Sequence, residues 1–172
     1  NCLAVGLSSG FLEPLESTSI HLIVKGMLNF VQSIPNKQIS QATIDEYNRL
    51  MDIEYRCIRD FIVLHYCATA REDSPFWRMW QTLDIPESLQ TKLSLFKEHG
   101  RLYKNDLDLF SADSWYAVLE GMKVRPENYD PLIDSSIFEK IEEALPQAVK
   151  GLESAVEHLL PHEEYLNKLI GK

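Results

Sequence analysis

Cysteine is scarce in this chain: three residues, Cys2, Cys57 and Cys67, with no CxxC pair among them. That excludes a disulfide framework and the usual cysteine-rich zinc spacing. An odd count also suits a reducing compartment, so a cytoplasmic location is expected. Basic charge is short as well. Lys and Arg number 17 against 26 Asp and Glu, a net charge of −9, which excludes nonspecific nucleic-acid binding. No long uncharged run exists to span a membrane. The apolar run Phe61 to Tyr66 follows Arg59-Asp60 and contains His65, so it reads as a buried helix end. No signal-peptide pattern is read in these 172 residues, and they hold no internal repeat, low-complexity tract or GxGxxG. A starting methionine is missing too. Asn1 leads straight into the apolar Cys2-Leu3-Ala4-Val5-Gly6, and we expect further chain before it.

What is present is the composition of a soluble domain: 172 residues, 45% hydrophobic and 25% charged, enough for one real core. Residues 2 to 7 read as a short buried strand ending at Gly6, followed by a Ser8-Ser9-Gly10 loop. Pro14 delays the first helix. Ser17 or Thr18 then caps a helix whose apolar stripe is Ile20, Ile23, Val24, Met27, Leu28 and Val31, and Pro35-Asn36 ends it. Thr43 with Glu46 reads as a capping box opening a long helix to about Cys67. Its stripe is Ile44, Tyr47, Met51, Tyr55, Ile58 and Ile62, with Asp45–Arg49 and Asp52–Arg56 paired on the wet side.

Pro75 opens a short helix carrying Phe76, Trp77 and Trp80. Asp84 to Glu87 caps the next, which stops at Gly100, and another runs from about Ala112 to Gly121. Ser136 with Glu139 is a further capping box. The stripe after it includes Phe138, Ile141, Leu145, Val149, Leu152, Val156 and Leu159, and Pro146 predicts a kink or a division into two helices. Pro161 starts a terminal helix with Tyr165, Leu166 and Leu169 inward. The segment Val124 to Asp134, with Pro126 and Pro131, reads as a loop inside one helical domain spanning 1–172. The fold class is therefore mainly α, with one N-terminal strand. A lone strand leaves its backbone groups unpaired, so it is expected to complete a sheet that this sequence does not itself contain.

The stretch with chemical content is Gly10-Phe11-Leu12-Glu13-Pro14-Leu15-Glu16-Ser17-Thr18-Ser19. It puts two carboxylates beside a turn into a helix. The first N–H groups of that helix lack intrahelical acceptors and attract anions. A carboxylate next to an anion site suits chemistry on a halide or a phosphate. Read structurally instead, Glu16 complements the helix dipole and Ser17-Thr18 are ordinary caps.

Asn1 to Gly10 followed by Phe11-Leu12-Glu13-Pro14-Leu15-Glu16-Ser17-Thr18 resembles the halide-site motif of the flavin-dependent tryptophan halogenases. Arg71 to Trp77, Phe110 to Trp115, Gly121 and Val124-Arg125-Pro126 are similar to the same family. The resemblance implies the C-terminal helical part of a larger α+β, FAD-dependent halogenase, with the FAD-binding domain absent from this sequence and the isolated segment inactive. In that family reduced FAD, supplied by a separate flavin reductase, reacts with oxygen. Bound chloride or bromide is thereby oxidised to hypohalous acid, which halogenates an aromatic, indole-like small molecule. Carried over, Glu16 is the catalytic glutamate and Ser17 lies between flavin and substrate. Thr18 and Ser19 offer backbone N–H groups to the halide, Gly10, Pro14 and Leu15 border the cofactor, and Phe110, Ser111 and Trp115 border the substrate. No metal is expected, and a homodimer is the expected assembly.

The sequence departs from the family in two ways. Neither its WxWxIP motif nor its catalytic lysine is present, and Lys25 and Lys37 match no lysine motif. Tryptophan-specific members carry a Phe-Trp pair near Leu109-Phe110-Ser111, so the substrate is expected to be an aromatic ring other than free tryptophan. Two alternatives stay open: a flavin monooxygenase that hydroxylates instead, and a helical interaction domain.

Other residues carry plainer readings. His158 and His162 are expected on the surface, not on a metal, and His21 is expected packed or in solvent. Trp77, Trp80, Trp115 and Tyr116 are either a substrate cage or core. Cys57 and Cys67 read as inert buried thiols, and Asp106-Leu107-Asp108 as a solvated loop.

Overall fold

The computed structural model describes residues 2–34, 38–103, 108–129, 131 and 135–171, with the side chains of 135–139 outside that description. Seven α-helices form among the described residues: α1 Thr18–Gln32, α2 Gln41–Cys67, α3 Pro75–Trp80, α4 Glu87–His99, α5 Ala112–Gly121, α6 Ser135–Glu157 and α7 His162–Leu169. Two single 3-10 turns, Gly6–Ser8 and Leu15–Ser17, precede α1. The chain divides into two compact units, Asn1–Tyr129 and Asp130–Lys172. The division falls inside the Val124 to Asp134 segment.

Ahead of the first 3-10 turn the backbone reaches an extended conformation at Val5 (φ −134°, ψ 148°), but no strand forms among the described residues. Leu3 and Val5 are exposed. Without a neighbouring strand the segment has no ladder to join.

In the first unit α2 is the central rod. Its second half buries Met51, Ile58, Phe61, Ile62 and Leu64; of the expected stripe Met51, Ile58 and Ile62 are buried, Tyr47 and Tyr55 are half-buried and Ile44 is exposed, while Phe61 and Leu64 lie outside that stripe. Phe61 and Leu64 pack with Leu89, Phe96, Trp115 and Leu119 from α4 and α5. Ile58 and Ile62 pack with Leu22 of α1, and Leu12 and Leu15 of the motif loop lie against the same cluster. That contact pins the loop to the rod.

Helix α1 meets α2 by a face the apolar stripe does not predict. Its buried residues are Thr18, Leu22, Gly26 and Asn29, while Ile20, Ile23, Val24, Met27, Leu28 and Val31 are all exposed. On the buried side polar groups pair across the two helices. His21 Nε2 donates to Glu54 Oε1 at 2.6 Å, Lys25 Nζ lies 3.9 Å from Glu54 Oε2, and Asn29 Nδ2 donates to Met51 Sδ at 3.4 Å. Glu54 is only 2% exposed, and a buried carboxylate must be paired. That demand orients α1. At Gly26 an added Cβ would lie 3.4 Å from Tyr47 Oη, so the missing side chain lets the helices close.

Several local expectations are corrected. Helix α2 starts at Gln41, because Ser40 Oγ accepts the Thr43 N–H at 3.2 Å; the Thr43–Glu46 capping box is replaced. Glu46 instead binds Arg49 in a two-bond fork, and Asp45 accepts from Gln41, so the Asp45–Arg49 pair does not form. The Asp52–Arg56 pair does. Helix α6 continues through Pro146 as one helix, so the division into two helices is not found. Ile141, Leu145, Val149, Leu152, Val156 and Leu159 of the second unit are exposed, as are Tyr165, Leu166 and Leu169, which were expected inward. Pro35-Asn36 and the side chains of Ser136 and Glu139 lie outside the described residues. Asp108 is no solvated loop residue: its side chain is 6% exposed and receives Lys92 Nζ at 3.1 Å.

Candidate functional site

The motif loop folds back on α2 through side chains that α2 presents one above another. Tyr55 and Ser9 share a hydroxyl–hydroxyl bond at 3.1 Å. Tyr66 donates its phenol to Glu13 Oε1 at 2.5 Å, and His65 Nε2 stands 3.5 Å from Glu16 Oε1. Thus two consecutive residues of α2 hold the two carboxylates of the motif apart. Glu13 binds the Tyr66 phenol, and that bond, with burial and the negative charge of Glu13, raises the Tyr66 pKa above its ordinary value. Glu16 keeps a side chain 42% exposed, open to a reactant.

Backbone geometry explains the exposure. Pro14 starts the 3-10 turn, and its carbonyl accepts the Ser17 N–H at 2.8 Å. Glu16 (φ 63°, ψ 9°) and Ser17 (φ 55°, ψ 31°) both sit in the left-handed region. For residues other than glycine that costs on the order of 1 kcal/mol each. Thr18 then returns to right-handed values (φ −73°, ψ −13°). A left-handed residue followed by a right-handed one is the backbone pattern found in anion-binding nests. Ser17 occupies the N-cap position of α1, but its side chain makes no capping bond. Behind it, Thr18 is 1% exposed and its Oγ1 has no hydrogen-bond partner. The Ser17 N–H is already taken by the Pro14 carbonyl, so the unpartnered group at this turn is the Thr18 hydroxyl.

Gly10 has φ 154°, and a Cβ there would lie 2.9 Å from the Tyr55 ring and hydroxyl. Only glycine lets the loop pass so close to α2. Pro14 is exposed and Leu15 is half-buried against the α1–α2 core.

The residues expected around the substrate divide. Phe110 stacks on Phe61 with ring centroids 3.8 Å apart, and Trp115, 4% exposed, meets Phe61 edge-on at 5.1 Å. Lys92 Nζ sits 4.1 Å from the Trp115 ring centroid. Ser111 caps α5, its Oγ accepting the Ser114 N–H at 3.4 Å. Phe61 also meets the His65 ring edge-on at 4.9 Å, so this aromatic group backs the histidine that faces Glu16.

The four aromatics Trp77, Trp80, Trp115 and Tyr116 do not form one cage. Trp77 and Trp80 stack on Tyr66 at 5.9 and 4.9 Å, with Phe76 beside them. Arg71 lies 4.4 Å over Trp77. Tyr116 instead packs on Phe96 and donates to the Gly100 carbonyl. A cleft of about 380 Å³ lies at the other end of α1, lined by Phe30, Ile39, Ile44 and Tyr47 among others. His158 binds the Ser154 carbonyl, and among the described residues no group of three or more His, Cys, Asp or Glu is placed to hold a metal.

Sequence reasoning missed His65 as a site residue. It lies 49 positions from Glu16, in an apolar run that signalled only burial, and no local motif marks a contact made by helix packing.

A model of the tryptophan halogenase family matches residues 1–136. The chain is similar to the tryptophan 7-halogenase RebH of Lentzea aerocolonigenes, with 27% identity over 76% of this chain and 28% of that protein. Among solved structures it is similar to BrvH, a flavin-dependent halogenase from Brevundimonas sp. BAL3, with a TM-score of 0.92 and 35% identity. It is also similar to Xcc4156, a flavin-dependent halogenase from Xanthomonas campestris, with a TM-score of 0.86 and 40% identity. Each covers 98% of this chain, and the chain spans 34% of each. No helix among the described residues is long and apolar enough to cross a membrane.

Proposed function

Because the chain belongs to the tryptophan halogenase family, we propose that it forms the halide- and substrate-facing region of a flavin-dependent halogenase acting on an aromatic, indole-like small molecule. The observation that carries this reading is the left-handed Glu16-Ser17 turn, which starts α1 over the buried, unpartnered Thr18 hydroxyl and leaves the Glu16 carboxylate open. Reduced FAD, delivered by a separate reductase, supplies the oxidation of chloride or bromide. The residues of this chain supply one part of the site. Thr18 and Ser19 hold the halide by backbone N–H groups, and Ser17 separates flavin from substrate. Gly10, Pro14 and Leu15 border the flavin. Glu16 takes the proton that the ring must lose once the carbon–halogen bond has formed.

On the substrate side we assign Phe110, Ser111 and Trp115 as the wall, acting through position more than direct stacking. Phe110 and Trp115 are packed on Phe61, and Ser111 is committed to its cap. A wall without an exposed indole loses one stacking partner, about 1 kcal/mol beyond area burial. That favours indoles, pyrroles or phenols within larger molecules over free tryptophan. We further propose a cytoplasmic homodimer.

The test is a panel of tryptophan, indole and substituted phenols, given to the full-length protein with FAD, a reductase and either chloride or bromide. Products are scored by mass. Halogenated indole or phenol in excess over halogenated tryptophan is expected. Hydroxylated product independent of halide would replace this reading with the monooxygenase one, and free tryptophan as best substrate would overturn the assignment of the wall. The 172 residues carry no GxGxxG, so a flavin-fluorescence titration of this chain alone should show no tight FAD binding. Submicromolar affinity would contradict that.

A further inference from the structure

We propose that His65 is the positioning residue of Glu16, and that the two side chains hold one exchangeable proton between them. This rests on the halogenase reading above. The His65 ring is fixed on two sides. Nδ1 lies 2.8 Å from the Phe61 carbonyl oxygen, which can only accept, so Nδ1 carries hydrogen. The Phe61 ring meets the imidazole edge-on at 4.9 Å, with an interplanar angle of 85°. With Nδ1 committed, the remaining nitrogen, Nε2, faces Glu16 Oε1 at 3.5 Å. That separation is long for a hydrogen bond and within the range that catalytic contacts close when substrate binds. The His65 side chain is 17% exposed and that of Glu16 is 42% exposed, so the pair has a sheltered end and an open end.

A fixed tautomer gives the pair two arrangements. Either Nε2–H donates to the Glu16 carboxylate, or a Glu16 carboxylic acid donates to the Nε2 lone pair. Both contain one proton beyond a bare carboxylate and a neutral ring. Aromatic halogenation by hypohalous acid needs such a store. The carbon–halogen bond forms as the halogen–oxygen bond breaks, and the leaving oxygen must gain a proton to depart as water. The ring then loses its own proton as the carbon–hydrogen electron pair returns to the π system. Glu16 gives the first proton and takes back the second, while His65 refills or drains Glu16 through Nε2. The pair ends each cycle with the proton count it began with, and arene plus hypohalous acid become haloarene plus water.

The test compares wild type, His65→Ala, His65→Gln and Glu16→Gln in the full-length protein with FAD, bromide and indole. We expect His65→Ala to lower kcat at least about ten-fold, with KM nearly unchanged. The oxygen-dependent flavin absorbance change and the melting temperature should hold, and added imidazole should restore part of the rate. His65→Gln fills the space and can donate to Glu16 but cannot exchange a proton, so it should keep KM without recovering kcat. Nitrogen NMR of the His65 ring supplies a readout independent of turnover: Glu16→Gln should move the Nε2 resonance far more than that of Nδ1, which keeps its hydrogen. A kcat within two-fold of wild type in His65→Ala would overturn the proposal, as would equal recovery by His65→Gln or an unmoved Nε2 resonance. Should wild type halogenate nothing on the substrate panel, the halogenase reading fails, and the NMR comparison still decides whether the pair shares a proton.

Discussion

Tyr66 donates its phenol to Glu13 at 2.5 Å across 53 residues of sequence. The next residue back on the helix, His65, faces Glu16 at 3.5 Å. Neighbouring positions on a helix point about 100° apart, so one turn of α2 sorts two carboxylates three residues apart into different surroundings. Glu13 is tied down by a neutral donor, and Glu16 is left to react.

That sorting predicts the effect of removing the Glu16 charge. Glu16→Gln keeps shape and loses the base, so kcat for halogenation should fall about 100-fold. The oxygen-dependent flavin absorbance change should stay near normal, because the carboxylate acts on the aromatic ring. Stopped-flow spectra beside product mass give both numbers. Loss of the flavin step together with product would assign Glu16 a structural role.

The α1–α2 contact depends on Glu54, 2% exposed and paired with His21 and Lys25. Glu54→Ala leaves those donors facing each other over a small void and should cost about 1–3 kcal/mol. For a protein of this size that is a melting temperature lower by roughly 3–10 °C. Glu54→Gln keeps a hydrogen bond and should cost less. Thermal melts of both variants decide it, and an unchanged melting temperature in Glu54→Ala would show that the apolar contacts alone orient α1.

Burial, then a hydrogen bond to Asp108 and the charge of Asp108, push the Cys57 thiol up to about 12. Burial likewise raises Cys67. At pH 8 only about one Cys57 thiol in ten thousand is ionised, and the thiolate is the nucleophile. Iodoacetamide at pH 8 should label exposed Cys2 first and reach Cys57 only after denaturation or well above pH 10. Peptide mapping by mass over time checks this, and early labelling of Cys57 would contradict the buried contact with Asp108.

By itself the sequence determined the helical class, the ends of α2, α4 and α5 to within a few residues, the start of α3, and the motif from Gly10 to Ser19. These are local properties: apolar spacing, Pro75 at a helix start, Gly100 at a helix end, and a loop whose residue types suit an anion. It did not determine which face of α1 is buried. The apolar stripe from Ile20 to Val31 outvoted a polar set whose partner, Glu54, lies on another helix. Nor did it reveal the left-handed turn at Glu16-Ser17, since neither residue type favours that conformation. Packing imposes it: Leu12 and Leu15 are held against Leu22, Ile58 and Ile62, and the backbone between them and Thr18 has to turn sharply. His65 became a site residue for the same reason, because only the approach of that loop to the end of α2 brings it to Glu16.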